Sequence, residues 1–265
     1  MSTLTRKSAT EIAMMREAGL LVARTLRAVE DASVIGSSVL ELDRLAHRVI
    51  VEVGAHPTFL NYHPRFAPSP YPATICVSLN DVIVHGIPRD YLLADGDLVS
   101  IDLAAHVDGW CADAARSYIV GKPTEQSTRL IERTNAALDG AIAAAQPGAR
   151  LGDVSAAIGR VGRRCGYGIP PDFGGHGIGR WMHEPPSVSN TGYAGTGMRL
   201  EPGVVLAIEP MFMLGGIDEY RVDPDGWGLR TVDGSLAAHL EHTVAVTEDG
   251  PLVLTLADSS SHPNQ

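Results

Sequence analysis

Residues 97–120 read DLVSIDLAAHVDGWCADAARSYIV, and the rest of the chain is best understood from this stretch. Apolar and small residues run in two arms around Asp108-Gly109, a pair that accepts the positive backbone angles of a tight turn. The pattern predicts an antiparallel hairpin with Asp102 and Asp113 on opposite arms. If the turn is centred on Asp108-Gly109, Asp102 faces Ala115, and Asp113 is its diagonal neighbour on the same sheet face. If the turn is centred one residue earlier, the two aspartates are directly opposite. Either register brings two carboxylates together among apolar residues. Like charges so placed force one group to stay neutral, and a bound dication removes that conflict. Taken alone, the two aspartates fit a solvent-exposed polar face more simply.

Helical periodicity flanks the hairpin on both sides. Thr10 is the expected cap of a first helix, with Glu11 in its first turn. Ile12, Met15, Val22, Leu26 and Val29 follow at helical spacing. Gly36 breaks this pattern. A second helix is expected from about Ser38 to Val53, with Leu42, Leu45, Val49 and Val53 on one side and Gly54 as its stop. The layout returns as a helix over 124–145, Gly148, a helix over 151–165, and Gly166. Gly36 and Gly148 lie 112 residues apart, as do Gly54 and Gly166. A repeated helix–glycine–helix–glycine order suggests two similar halves.

After each helix pair the period falls to two. Residues 73–84 hold a strand, a turn at Asn80-Asp81 and a second strand. Further strands are expected over 203–213, 228–232, 236–246 and 251–256. Residues 61–72 carry four prolines and read as an irregular loop. The fold class is therefore α+β, with two pseudo-symmetric helix pairs packed on one face of a mainly antiparallel sheet. One domain is expected over 9–256, with flexible termini at 1–8 and 257–265.

Composition narrows the function. The chain has 265 residues, 45% hydrophobic and 20% charged, with a mean hydropathy of +0.04. That is enough apolar material for a sizeable core, and it excludes wholesale disorder. A net charge of −10 and the lack of any basic run argue against general nucleic-acid or anionic-membrane binding. Three scattered cysteines without a CxxC support neither a disulfide framework nor a thiolate zinc site. The N-terminus lacks a signal-peptide core, and no apolar run approaches the length of a membrane span. A cytoplasmic protein with reduced thiols is expected.

The remaining chemistry lies in three segments. In Gly174-Gly175-His176-Gly177-Ile178-Gly179-Arg180-Trp181-Met182-His183, glycines crowd His176 and admit a close backbone or ligand. His176 and His183 are seven residues apart, too far for neighbouring positions on one helical turn. A glycine-rich bend that turns both into one pocket explains them better. Glu209 sits in Val205-Leu206-Ala207-Ile208-Glu209-Pro210, and Glu241 in Ala237-Ala238-His239-Leu240-Glu241-His242-Thr243-Val244. An acid in an apolar strand is expensive unless paired or metal-bound, with a salt bridge to an arginine as the plainer alternative. Together Asp102, Asp113, His176, Glu209 and Glu241 make an oxygen-rich, thiolate-free set. Such a set suits manganese, iron(II), cobalt or zinc. Two ions roughly 3.5–4 Å apart can share a hydroxide and polarise a carbonyl, which describes a hydrolase. His85, in Val84-His85-Gly86, adds a proton carrier or substrate contact.

At this point the residues match a known family. The chain resembles the type I methionine aminopeptidases, whose fold is called pita-bread. The resemblance runs from about Ser8 to Gly250 and rests on ATEIAMMREAG, ICVSLNDVIVHGIP, GDLVSIDLAAHVDGWCAD, GGHGIGRWMHEPP, LAIEPM and HLEHTVAVTEDG, in order. It implies that Asp102, Asp113, His176, Glu209 and Glu241 bind two divalent metal ions, with Asp113 and Glu241 bridging. It implies that His85 contacts the substrate amide, that His183 stabilises the tetrahedral intermediate, and that Glu209 carries protons. Phe59, Tyr62, Cys76, Met182 and Trp227 match the pocket for the methionine side chain, and soft, aromatic groups suit a thioether. The implied reaction is removal of an N-terminal methionine before a small second residue, by attack of a metal-bridging hydroxide. The implied substrates are peptides and nascent chains, with the ribosome as a candidate partner and a monomer as the expected state.

His183 and Glu209 lie only 26 positions apart, where type II enzymes carry a long insertion, so type I is the better match. Two features depart from the family pattern. The loop 63–72 is longer and richer in proline, with Tyr71-Pro72 expected to stand in for an aromatic–proline pair. Met182 replaces a common phenylalanine. Two rivals share the scaffold: a proline-specific aminopeptidase or dipeptidase, and a non-catalytic binding protein. The second typically loses metal ligands, and all five are present here.

Overall fold

A computed structural model describes residues 4–65 and 67–256. The expected flexible tail, 257–265, lies outside the described residues. The first half of the chain contains α1 (Ala9–Ala32), α2 (Val39–Val51), β1 (His56–Pro57), β2 (Cys76–Leu79), β3 (Val82–Val84), β4 (Leu98–Val107) and β5 (Trp110–Ile119). The second contains α3 (Glu125–Ala144), α4 (Leu151–Cys165), β6 (Gly174–Gly177), β7 (Glu184–Ser189), β8 (Val205–Ile208) and β9 (Met211–Met213). It continues with β10 (Tyr220–Val222), β11 (Leu229–Thr231), β12 (Ala237–His239), β13 (His242–Thr247) and β14 (Gly250–Val253). Two sheets form the centre, one with β5 and β2 on β4, the other in the order β14-β13-β8-β6-β7, both antiparallel.

The duplication read from glycine spacing recurs in the hydrogen bonds. Gly36 N–H donates to Leu93 O at 2.7 Å, and Gly148 N–H to Leu200 O at 2.7 Å. Val39 N–H donates to Tyr91 O and Leu151 N–H to Met198 O, at 3.0 and 2.9 Å. Gly36 and Gly148 have φ of 87° and 88°, and Gly54 and Gly166 have 76° and 72°. Each glycine supplies a left-handed turn that a side chain would oppose. The strands that follow match as well. Gly96 N–H donates to Val120 O, and Gly203 N–H to Val246 O, each bond lying at the start of an antiparallel strand pair, β4–β5 and β8–β13. Asp102 lies six residues beyond the first glycine and Glu209 six beyond the second, so the duplication places these two acids at equivalent points.

Alternation along β4 and β5 separates core from chemistry. Val99, Ile101, Leu103, Ala105, Ala112 and Ala114 pack against α1 and α2. Asp102, Ala104, Cys111 and Asp113 face the other side. In the second half α3 and α4 cover Leu206, Ile208, Val244 and Val246. Each fully buried aliphatic side chain contributes about 1.5–3 kcal/mol, and this holds the layers together.

Several local readings change. The α1 cap is Ser8 rather than Thr10: Ser8 Oγ accepts from Glu11 N–H, and the Glu11 carboxylate accepts from Ser8 N–H. This reciprocal pair starts the helix earlier than a lone threonine cap would. Within the stretch 1–8 expected to be flexible, Lys7 is buried in an ion pair with Glu184. The buried stripe of α2 is Val39, Leu42, Ala46 and Ile50, with Val53 exposed past the helix end. The strand expected over 203–213 breaks at Glu209-Pro210, where proline removes a ladder donor. The one expected over 236–246 breaks at Leu240-Glu241. There the backbone turns its bonds to the other half, Glu241 N–H donating to Ala115 O at 3.0 Å. Strands β6 and β7 escaped the sequence reading because GGHG and EPPSVS lack β-branched alternation.

Candidate metal centre

The β4–β5 register pairs Asp102 with Ala115 and Ala104 with Asp113. The turn is therefore centred on Asp108-Gly109, with φ of 49° and 76°, and the aspartates are diagonal neighbours. His176 stands on β6 opposite Ala207 of β8, at a register shift between His176 and Gly177. Its glycines are required by crowding. A Cβ on Gly175 would lie 2.1 Å from Ala207 O, and one on Gly177 2.1 Å from Pro185 O. Glu209 directly follows β8, and Glu241 occupies the seam where β13 meets β5. A second bond pair tightens this seam: Asp113 N–H donates to Thr243 Oγ1, which donates to Asp113 O, at 2.9 and 2.8 Å.

Donor atoms of Asp113, His176 and Glu241 lie within 4.8 Å of one another, as do those of Glu209, His239 and Glu241. Glu241 is common to both triads. Asp102 belongs to neither but lines the same cavity. His176 Nδ1 lies 3.0 Å from Gly177 O, which assigns its proton to Nδ1 and leaves Nε2 as a donor atom for a ligand. That Nε2 is 3.7 Å from Glu209 Oε1.

Electrostatics at this site are unfavourable without a cation. Burial lifts Asp102, Glu209 and Glu241 well above the carboxylate range, and charge on their neighbours, Asp113 in every case, lifts them further. Burial also lifts Asp113, to about 7. Burial, with His183 close by, lowers His176 to about 3, so the ring is neutral and free to ligate. Asp102 Oδ1, Asp113 Oδ1 and Glu241 Oε1 are buried without any hydrogen-bond partner. Unpaired buried oxygens are costly, and a divalent cation satisfies them together. The donor set, four carboxylates and one neutral imidazole, fits such an ion.

Above the acids opens a cavity of about 160 Å³. Its wall contains Phe59, Tyr62, Cys76, Met182 and Trp227, together with His85 and His183. All the residues expected to line one pocket are thus brought together. His176 and His183 face each other with ring centroids 4.3 Å apart. The Tyr62 hydroxyl sits 2.9 Å from His183 Nδ1. Burial lowers His183 to about 4. His85 has φ of 60°, a strained angle for a side-chain-bearing residue, and stacks edge-on near Phe173 and Trp227. Burial, with His183 near, also lowers His85 to about 4.

Asp172, Phe173 and Met211 in the cavity wall, and His239 beside Glu209, were not foreseen, whereas Tyr71 takes the wall position expected of it. Tyr71 is buried and donates to Gly86 O at 2.8 Å, bracing the backbone next to His85. His239 shares the parity of Glu241 in HLEH, a period-two signal that could have revealed it.

Comparison with known proteins places this geometry. A profile of metallopeptidase family M24 matches residues 13–248. Methionine aminopeptidase 1 of Mycobacterium tuberculosis is 48% identical over 259 residues, spanning 95% of this chain and 94% of that protein. The crystal structure of methionine aminopeptidase from Rickettsia prowazekii superposes with a TM-score of 0.91 at 38% identity, over 96% of this chain and 100% of that one. Prolidase from Pyrococcus horikoshii superposes with a TM-score of 0.77 at 22% identity, over 97% of this chain and 65% of that one, a likeness of fold alone.

Proposed function

The chain belongs to metallopeptidase family M24, and on that footing we propose that it removes the N-terminal methionine from peptides and nascent chains. One observation carries the reading: Asp102, Asp113, Glu241 and His176, all buried, with the nearly buried Glu209, floor a small pocket walled by aromatic and sulfur-bearing side chains. Asp102, Asp113, His176, Glu209 and Glu241 would hold two divalent ions. Bound there, the ions supply Lewis acidity toward a carbonyl and lower the pKa of water.

The chain's own groups do the rest. Phe59, Tyr62, Cys76, Met182 and Trp227 take up the thioether side chain. The acidic floor selects a free amine, which confines cleavage to the first residue. Crowding at that floor favours a small second residue. The Tyr62 hydroxyl donates to His183 Nδ1, which leaves Nε2–H to hydrogen-bond the developing oxyanion. Glu209, whose proton affinity is raised by burial, accepts a proton from the attacking water and returns it to the leaving amine. His85 contacts the substrate amide. Three free cysteines support a reducing compartment, so the reading places the enzyme in the cytoplasm, as a monomer acting where chains leave the ribosome. Among the described residues no helix is long and apolar enough to cross a membrane.

The test is free amino-acid release from Met-Ala-Ser and Ala-Pro-Ser by chelator-stripped protein titrated with cobalt or manganese. Metal-dependent release of methionine alone is expected. Release from the proline peptide instead would transfer the chain to proline-specific chemistry. Silence on both, with metal shown to bind, would refute catalysis.

A further inference from the structure

One buried nitrogen at the metal centre has no role in this reaction. His239 ends β12, 2% exposed, and pairs with Met211 of β9. A single buried hydroxyl fixes its backbone from both sides. His239 N–H donates to Ser117 Oγ at 3.0 Å, and Ser117 Oγ donates to His239 O at 2.7 Å. Ser100 Oγ lies 2.7 Å from Ser117 Oγ and completes the brace. The ring is therefore placed from the β4–β5 hairpin of the opposite half. Its Nε2 is buried and lies 3.2 Å from Glu209 Oε2, but the two are not aligned for a hydrogen bond and no other group satisfies the nitrogen.

Glu209 is thus bracketed, with Oε1 toward His176 and Oε2 toward His239. Its backbone is held as well, Asn190 Nδ2 donating to Glu209 O at 3.0 Å. A bare Nε2 lone pair this close to a carboxylate oxygen would be repelled, whereas an Nε2–H would be attracted, and a small rotation of ring or carboxylate would complete the bond.

We propose that His239 is a positioning residue: with its proton on Nε2, a small rotation of the ring would complete a hydrogen bond to Glu209 Oε2 and hold Oε1 on the His176 side of the acidic floor. This rests on the metal-centre reading above. A ligating carboxylate left without its outer hydrogen bond rotates more freely, and loss of such a partner lowers metal affinity about 10–100-fold.

The experiment compares wild type with H239L, H239F and H239Q. Manganese and cobalt affinities of stripped protein are measured by calorimetry, the cobalt(II) visible spectrum is recorded, and kcat and KM are determined on Met-Ala-Ser. Leucine and phenylalanine remove the donor in two shapes, so one misfolded variant does not end the test. Expected in both is a metal affinity about 10–100-fold weaker, an altered cobalt spectrum and a fall in kcat larger than any rise in KM. Glutamine, whose amide can donate to the same oxygen, should recover most of the affinity. Wild-type affinity and spectrum in H239L or H239F would overturn the proposal. So would a glutamine variant as weak as leucine, since the imidazole nitrogen would then be a ligand itself. Absence of turnover in wild type would count against methionine removal, while metal affinity would still decide the role of His239.

Discussion

Replacing Lys7 with methionine should destabilise the protein far more than a change so near the N-terminus suggests. Lys7 Nζ lies 2.6 Å from Glu184 Oε2, with the two side chains only 5% and 10% exposed. Removing one partner of a buried pair costs about 3–5 kcal/mol, because the other charge is left uncompensated. Glu184 keeps two further donors, Trp181 N–H and Thr5 Oγ1, both at 3.1 Å. Each is worth about 1 kcal/mol, which puts the expected loss at the lower end, about 3 kcal/mol. For a chain of this size each kcal/mol moves the melting temperature by about 2–4 °C, so a fall of about 6–12 °C is expected by scanning calorimetry. The K7M/E184Q double variant should recover at least half of this, since the amide no longer strands a charge. Glu184 follows His183 in the chain, so kcat should fall as well. A K7M melt within 2 °C of wild type, or a double variant that loses the sum of both single effects, would refute the reasoning.

Glu209→Gln should retain peptide binding by calorimetry but lower kcat by at least about 10²-fold, with metal content measured in parallel; retained turnover would remove Glu209 from proton transfer. Tyr62→Phe removes the hydroxyl on His183 Nδ1 and should lower kcat about fivefold, the equivalent of one hydrogen bond, with little change in melting temperature. The metal-stripped protein should lose stability as pH rises from 6.5 to 8.5. Burial raises Asp113 from 3.8 to about 7 and lifts the other three acids well above their usual range. Their contribution is therefore complete below the ordinary carboxylate pKa and is lost as pH rises through the folded one. Burial lowers His85, His176, His183 and His239 to about 3–4, and these pull the other way only below about pH 6.5. Manganese should raise the melt more at pH 8 than at pH 6.5, because its ligands must be ionised. Stripped protein that gains stability across this window would contradict the buried-acid account.

Local signals carried a large part of this molecule. Glycine stops at 36, 54, 148 and 166 marked the duplication, because a left-handed turn ends a helix whatever surrounds it. Asp108-Gly109 announced the hairpin and allowed the register that places Asp102 diagonal to Asp113. All five acid and imidazole positions of the floor stood out because an ionisable group in an apolar strand, or amid glycines, needs a partner to offset its burial. These are properties of neighbouring residues, readable along the chain. The contacts that join distant segments were not readable in this way. Lys7 meets Glu184 across 177 residues, and Ser117 braces His239 across 122. The strand break at Glu241 exists because its backbone hydrogen bonds turn to Ala115 of the other half. Periodicity reports which face of a segment is buried and carries no information on what the other half presents to it. Packing of the halves determines that, and it is what turns five separate side chains, and His239 with them, into one metal centre.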